Sequence, residues 1–137
     1  MTYYHDQVLK ISRRIYAKDD LTRQIIRAKH FIDKNYADKI NLHQVASEAC
    51  ISKFHFIRLF KLYYGITPNQ YLGSVRIQRA KEYLADNLAV ADVCFAVGFD
   101  SIPYFTTLFK KMTGTTPALF QKKARAKKAI YRKNLLG

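Results

Sequence analysis

TPNQYLGSVRIQRAKEYLADN, residues Thr67–Asn87, is the stretch around which this chain is organised. Thr67 can cap the N-terminus of a helix, and Pro68 suits the first helical position, where a missing N–H leaves no bond unmade. Asn87 is typical of a helix C-terminus. The apolar positions between them recur at roughly helical spacing: Tyr71, Leu72, Val75, Ala80, Tyr83 and Leu84. The stretch is therefore predicted to be a single helix.

One sequence pattern occurs on both sides of this helix. The first copy reads Phe56-x3-Phe60-Lys61-x3-Gly65-x2-Pro68, and the second reads Phe105-x3-Phe109-Lys110-x3-Gly114-x2-Pro117. Upstream of Asp100 the offset between the copies is shorter by one residue, which indicates an insertion near Asp100. Two copies are too few for a solenoid, so we interpret them as a duplicated small module joined by a rigid spacer.

The charge of the chain indicates an anionic partner. The formal net charge is +14 over 137 residues, and no acidic residue follows Asp100. A chain this basic is expected to bind nucleic acid, acidic proteins or anionic lipid, with a merely solvated basic surface as the alternative. No signal peptide opens the sequence, and no apolar run approaches the ~18 residues of a membrane span. We therefore expect no membrane association and a cytoplasmic, nucleoid-associated protein.

The fold class is predicted to be all-α. The apolar content of 49% suffices for a modest helical core, and no sustained alternation of apolar and polar residues indicates a sheet. Cys50 and Cys94 each fall within an apolar helical pattern, with no CxxC pair, and are predicted to be buried free thiols of a reducing compartment.

Capping residues divide each copy of the repeat into a short helix, a turn and a longer helix. In the first copy, Asn41 is predicted to cap a helix over 42–49, and Ser52 to cap a helix that reaches Tyr63 and is closed by Gly65. In the second copy the helices are predicted over 90–97 and 102–112, with Ser101 as the second cap. This arrangement is a helix-turn-helix.

The longer helix of each copy has an inner and an outer face. The inner faces, predicted to lie in the core, are Phe56, Leu59, Phe60 and Tyr63 in the first copy, and Phe105, Leu108 and Phe109 in the second. The outer face of the first copy carries Lys53, Phe54, Ile57, Arg58 and Lys61. It could be simply solvated, but Phe54 and Ile57 are poor choices for a solvent-facing surface. We interpret it as a recognition surface.

The ends of the chain carry weaker patterns. Val8, Ile11, Ile15 and Tyr16 predict an N-terminal helix, and Asp19 or Asp20 is predicted to cap a separate helix that ends near Tyr36. The last helix is predicted to begin at Thr116 and Pro117, and its basic continuation could remain helical or fray. The predicted division is an N-terminal extension (1–18), a first helix-turn-helix subdomain (19–66), a linker helix (67–87), a second subdomain (88–121) and a basic tail (122–137).

Many of these residues together resemble the signature of the AraC/XylS family of bacterial transcription regulators. The resemblance extends from Leu42 to Gln121 and rests mainly on Val97-Gly98-Phe99, Tyr104-Phe105, Phe109-Lys110-Lys111, Gly114 and Pro117. It implies two helix-turn-helix subdomains joined by a central helix, with each recognition helix in one of two adjacent major-groove segments of double-stranded DNA. The spacer measures about 28 Å at ~1.5 Å per residue. Successive major grooves are ~34 Å apart, so the DNA is expected to bend.

The resemblance also implies roles for individual residues. The base-reading positions are Phe54, Ile57 and Arg58 in the first recognition helix, and Pro103, Tyr104 and Thr107 in the second. The candidate phosphate contacts are Ser52, Lys53, Lys61, Ser101, Lys110 and Lys111. Arg58 could bind guanine bidentately, whereas the second helix offers fewer hydrogen-bonding groups and should read bases more weakly. The family further implies an activator rather than a repressor, and contact with RNA polymerase.

The chain departs from the family pattern at three places. Cys50 stands where the family often has glycine in the first turn, and Ala89 replaces a usual polar cap. No effector-binding domain precedes the first shared helix, so we expect a short standalone regulator that acts as a monomer on DNA. A DNA-binding fragment of a larger ligand-sensing regulator would have the same sequence, and remains the alternative.

Other classes of function have less support. The four histidines share no spacing with the cysteines that builds a metal site, and no phosphate-binding loop or nucleophile elbow occurs. We therefore predict no enzyme, no metal and no cofactor, although DNA-repair methyltransferases can carry this type of helix-turn-helix beside a reactive cysteine. A non-specific nucleic-acid or membrane-surface binder could be argued from residues 122–133 alone, but it leaves the repeat unexplained.

Overall fold

The structure, a computed structural model, describes the backbone of residues 3–136 and the side chains of residues 5–10 and 19–136. This part of the chain is helical and contains no strand, which confirms the predicted all-α class. The helices are α1 (Tyr3–Asn35), α2 (Leu42–Glu48), α3 (Lys53–Tyr64), α4 (Pro68–Ala85), α5 (Val90–Ala96), α6 (Ile102–Thr113) and α7 (Pro117–Leu136).

The helices belong to two compact units. The first unit comprises the chain through Lys34 together with Asn41–Pro68, and the second comprises Asn35–Ile40 together with the chain from Asn69 onward. Each unit contains one helix-turn-helix: α2 and α3 in the first, α5 and α6 in the second. The spacer helix α4 belongs almost entirely to the second unit.

The N-terminal helix continues through the predicted break. Because α1 runs without interruption from Tyr3 to Asn35, the prediction that Asp19 or Asp20 caps a separate helix is wrong. The carboxylate of Asp20 instead accepts a hydrogen bond from Gln24 Nε2, one turn further on, at 3.5 Å. Val8 is exposed, and the side chains of Ile11, Ile15 and Tyr16, which were predicted to share its apolar face, lie outside the described residues.

The first helix-turn-helix is held by the predicted caps. Asn41 Oδ1 accepts the Gln44 N–H at 2.8 Å, and Ser52 Oγ accepts the His55 N–H at 3.3 Å. Gly65, at φ +78°, ends α3 in the left-handed conformation that glycine adopts without a steric cost. The buried side chains of this unit come from all three of its helices: Ile25, Ala28, Ile32, Val45, Ala46, Ala49, Phe56 and Phe60.

Three predictions about burial in this unit need correction. Tyr63 is 41% exposed rather than buried, and its hydroxyl lies 3.0 Å from Thr22 Oγ1 on α1. Leu59 is only half-buried. Cys50 is exposed, because it occupies the turn itself and adopts φ +58°, so its side chain does not share the inward face of α2. The other thiol, Cys94, is fully buried as predicted.

The second helix-turn-helix repeats the first with one more residue in its turn. Residues 49–52 connect α2 to α3, whereas residues 97–101 connect α5 to α6, which confirms the insertion near Asp100. Gly98 adopts φ +104° in this longer turn. Ser101 Oγ accepts the Tyr104 N–H at 3.3 Å, while Ala89 provides no side-chain cap for α5.

The core of the second unit lies between α4, α5 and α6. Its buried members are Ile77, Ala80, Leu84, Val93, Cys94, Val97, Phe99, Phe105 and Phe109. Phe109 contacts Phe105 and Phe120 edge to face, at ring-centroid distances of 5.8 and 5.5 Å. Such geometry stabilises each pair by roughly 0.5–1.5 kcal/mol beyond the contribution of the buried area. These rings join α6 to α7.

The basic C-terminal segment is helical and packs on the end of α4. Gln121 is buried, and its Nε2 donates to the carbonyl oxygens of Leu84, at 3.2 Å, and of Leu88. Further along α7, Arg125 donates to Asn87 Oδ1, and Lys128 donates to the Ala85 carbonyl. Cations at the C-terminal end of α4 also stabilise its dipole. Part of the basic charge of α7 is therefore used within the protein.

Candidate nucleic-acid interface

The outer face of α3 presents apolar and cationic side chains together. Phe54 lies in the first turn of the helix and is 74% exposed, Ile57 is half-buried, and Arg58 is exposed. Within the part of the chain that the structure describes, Arg58 makes no ion pair. A large exposed aromatic side chain beside an unpaired guanidinium is typical of a surface that becomes covered by a partner.

The outer face of α6 offers less hydrogen-bonding capacity than its residue types suggest. Tyr104 is 60% exposed, and its ring lies 6.0 Å from the buried ring of Phe99. Thr107 is exposed, but its hydroxyl donates to the Pro103 carbonyl at 2.9 Å. The Thr107 oxygen can therefore accept a hydrogen bond from a partner while its proton stays within the helix.

The capping serines keep one hydrogen-bonding group for a partner. Ser52 Oγ and Ser101 Oγ each use a lone pair to accept a backbone N–H, which leaves the hydroxyl proton able to donate. Ser52 lies at the N-terminal end of α3 and Ser101 at that of α6, where free N–H groups and the helix dipole favour an anion.

Four lysines lie at the ends of α3 and α6. Lys53 begins α3, and Lys61 lies in its last turn; Lys110 and Lys111 lie in the last turn of α6. All four are exposed, and none has an ion pair within residues 19–136. The roles of the predicted base-reading and phosphate-binding residues remain predictions.

Arg76 has a positioning role that the sequence did not reveal. Its Nε donates to the Tyr36 carbonyl at 2.7 Å and its Nη2 to the Asp38 carbonyl at 3.0 Å, while its guanidinium lies over the Phe99 ring. Burial lowers the pKa of Arg76 from its ordinary value. These contacts tie the connection between α1 and α2 to the turn that precedes α6. Helical periodicity shows only that Arg76 lies off the apolar face.

No group of three or more His, Cys, Asp or Glu side chains in the described part of the chain could hold a metal ion. Burial raises the pKa of the Cys94 thiol, with a smaller contribution from Asp100, which opposes the thiolate needed for nucleophilic chemistry. Among the described residues no helix is both long enough and apolar enough to cross a membrane.

Comparison with known proteins agrees with this geometry. A family profile for a helix-turn-helix domain matches residues 45–123, which include the second helix-turn-helix motif and all of the first except residues 42–44 of α2. The bifunctional transcriptional activator/DNA repair enzyme AdaA of Bacillus subtilis is 45% identical over 92 residues, or 66% of this chain and 44% of AdaA. The chain thus spans about half the length of such relatives.

Solved structures show the same fold. The C-terminal domain of AraT, a response regulator from Geobacillus stearothermophilus, superposes with a TM-score of 0.70 at 28% identity, covering 73% of this chain and 84% of that domain. The DNA-binding domain of AdpA, solved in complex with a target DNA, has a TM-score of 0.72 at 23% identity, covering 75% of this chain and 94% of that domain. With the profile match, these similarities show that this chain belongs to the AraC/XylS family of DNA-binding transcription regulators.

Proposed function

We propose that this chain binds double-stranded DNA in a sequence-specific manner, with α3 and α6 as recognition helices in adjacent major-groove segments. The observation that carries the proposal is the outer face of α3, where exposed Phe54 and unpaired Arg58 lie on a capped helix of a chain with net charge +14. Phe54 lies one helical turn from half-buried Ile57 on this face, so its exposed ring is part of an apolar surface rather than a single scattered residue. The existence of a DNA complex for the AdpA domain, which has the same fold, supports this use of the fold.

On α3, the chemistry of the outer face suits two kinds of base contact. The Arg58 guanidinium can donate bidentately to O6 and N7 of guanine, a contact worth roughly 1–3 kcal/mol of discrimination. The Phe54 and Ile57 side chains can contact thymine methyl groups, and covering a phenylalanine fully is worth about 1.5–3 kcal/mol. This helix would supply most of the sequence preference.

On α6, the contacts should be fewer. Tyr104 can donate or accept through its hydroxyl, whereas Thr107 can only accept while its proton is shared with Pro103. Pro103 offers only apolar contact. We expect this helix to contribute chiefly through phosphate contacts from Ser101, Lys110 and Lys111, which set the register of the protein on the duplex.

The remaining features of the proposal come from the family. We propose that the chain acts as a monomer on DNA, activates transcription through contact with RNA polymerase, and works in the cytoplasm in association with the nucleoid. We propose no catalytic role: AdaA is bifunctional, but the similarity covers 44% of that protein. Of the two thiols, Cys94 is buried, and exposed Cys50 belongs to no cluster of described His, Cys, Asp or Glu side chains that could hold a metal ion.

Arg58→Ala tests the proposal. Affinity would be measured for a selected duplex and for variants with each base pair changed singly. At one guanine position, the preference should fall by about 5- to 150-fold, the equivalent of 1–3 kcal/mol. The matched control is Arg132→Ala, which removes the same charge from an exposed position on α7 and should lower all affinities uniformly. If Arg58→Ala also lowers all affinities uniformly, Arg58 contacts phosphate rather than a base.

A further inference from the structure

Outside the recognition helices, the second unit contains a basic cavity. It has a volume of about 320 Å³ and lies between α4, the end of α6 and the exposed side of α7. Three lysines line it, with two threonines and one aromatic ring: Lys81, Lys123, Lys127, Thr113, Thr115 and Phe120. Among the described residues, no acidic side chain lines this cavity. Its volume is at the lower end of the range for small-molecule sites.

The three lysines of the cavity pair with no acidic group in the described part of the protein. Lys81 is half-buried on α4, whereas Lys123 and Lys127 are exposed and lie one turn apart on α7. Within the described residues none of them makes an ion pair. This differs from Lys128 on the other side of α7, which contacts the end of α4. Bringing three like charges around one concavity is unfavourable unless an anion occupies it.

A buried hydroxyl at the same cavity has no partner. Thr115 Oγ1 is inaccessible to solvent and is the one buried side-chain oxygen or nitrogen in the described part of the chain without a hydrogen bond. Its neighbour Thr113 cannot supply one, because the Thr113 hydroxyl is shared among Phe109 O, at 2.7 Å, and the backbone O and N–H of Thr115. Buried hydroxyls are rarely left unpaired, and such exceptions often mark a site that a ligand completes.

We infer that this cavity binds a phosphate group, with the Lys81, Lys123 and Lys127 ammonium groups as counter-charges and the Thr115 hydroxyl, which must turn toward the cavity to reach the ligand, as a hydrogen-bond donor. Ammonium groups are compact point charges suited to phosphate oxygens. Phe120 adds an apolar wall, which suits a phosphorylated small molecule with a short apolar portion. The same chemistry could also hold a phosphate of the DNA backbone, and the experiment separates these two sources.

The first arm of the experiment is done without DNA, so its outcome does not depend on the proposed regulator function. Sodium phosphate is titrated into the full chain at constant ionic strength, with sodium chloride as reference, and the amide NMR signals of Gly114 and Thr115 are followed. The inference predicts saturable 1:1 binding. Thr115→Val should weaken it at least tenfold without lowering the urea midpoint, because it removes a hydroxyl that has no partner in the free protein.

Paired charge removals provide the control. Lys123→Ala with Lys127→Ala should abolish saturation, whereas Lys122→Ala with Lys133→Ala removes the same charge from exposed positions of α7 outside the cavity and should change affinity less than twofold. Equal losses in the two double variants would mean a diffuse effect of charge and would overturn the inference.

The second arm identifies the source of the phosphate. The slope of log affinity for DNA against log salt is measured for both double variants. A slope reduced further by the cavity pair than by the control pair identifies a DNA phosphate as the occupant. Equal slopes with saturable free-phosphate binding identify a small phosphorylated ligand. Equal slopes without saturable binding would contradict the site altogether.

Discussion

Replacing Gly98 by alanine tests how the second helix-turn-helix is held in position. A Cβ at Gly98 would lie 2.8 Å from the Tyr36 carbonyl oxygen and 2.9 Å from Arg76 Nε, the two atoms joined by a hydrogen bond of 2.7 Å. The φ of +104° is itself strained for alanine, at about 1–3 kcal/mol. Losing a hydrogen bond from a charged group adds about 1.5–3 kcal/mol. We expect Gly98→Ala to destabilise the second unit by about 3–5 kcal/mol.

Gly114→Ala is the matched control for this substitution. Gly114 also has a positive φ, +84°, but apart from its chain neighbours no described atom lies within 4 Å of where its Cβ would be. Gly114→Ala should therefore destabilise the protein only by the strain of a left-handed backbone at alanine, about 1–2 kcal/mol. Stability would be measured by urea unfolding, together with the labelling rate of buried Cys94 in a Cys50→Ala background, where exposed Cys50 no longer reacts and labelling reports opening of the second unit. Equal losses for Gly98→Ala and Gly114→Ala would refute a role for the Arg76 contact.

Three further predictions concern residues whose environment the structure defines. Cys50→Gly should stabilise the first unit by about 0.5–1 kcal/mol, because glycine adopts the positive φ of +58° at lower cost; a lower urea midpoint would contradict this. Gln121→Leu should cost about 1–3 kcal/mol in urea unfolding, since it leaves the Leu84 and Leu88 carbonyls without their donor, and an unchanged midpoint would show that water replaces it. Burial raises the pKa of Cys94, so above about pH 8.5 the unfolded chain binds fewer protons than the folded one and stability should fall as pH rises. Cys94→Ala should flatten that decline; an unaltered pH profile would assign it to other groups.

The elements that local chemistry specifies could be predicted from sequence. Asn41, Ser52 and Ser101 cap the helices they precede, and Gly65 and Gly114 end the recognition helices in the left-handed conformation. Such signals depend on neighbours within four residues, which a sequence displays directly.

Predictions failed where a distant residue decides the outcome. Tyr63 lies near the edge of the apolar face of α3, and its place is set by Thr22, 41 positions away. Ile77 is buried in the core of the second unit, although it was absent from the predicted apolar positions of α4.

For the candidate interface, the sequence predicted which residues lie on it but not the hydrogen bonds that their side chains make. The repeat and the family resemblance locate the outer faces of α3 and α6, and exposure of Phe54 and Tyr104 agrees with them. The sequence could not show that the Thr107 hydroxyl donates to the Pro103 carbonyl, or that the Thr115 hydroxyl has no hydrogen-bond partner. Both facts depend on side-chain geometry.

Selection of binding sites from random duplex DNA tests the central claim most directly, with the affinities of the selected sequences measured across a salt series. The proposal predicts an asymmetric site with two short enriched blocks about one helical turn apart, and a stronger preference in the block read by α3. The same selection with Phe54→Ala should lose preference in that block alone. If no sequence is enriched while affinity falls steeply with salt, the chain binds nucleic acid without reading bases, and the proposed function is wrong.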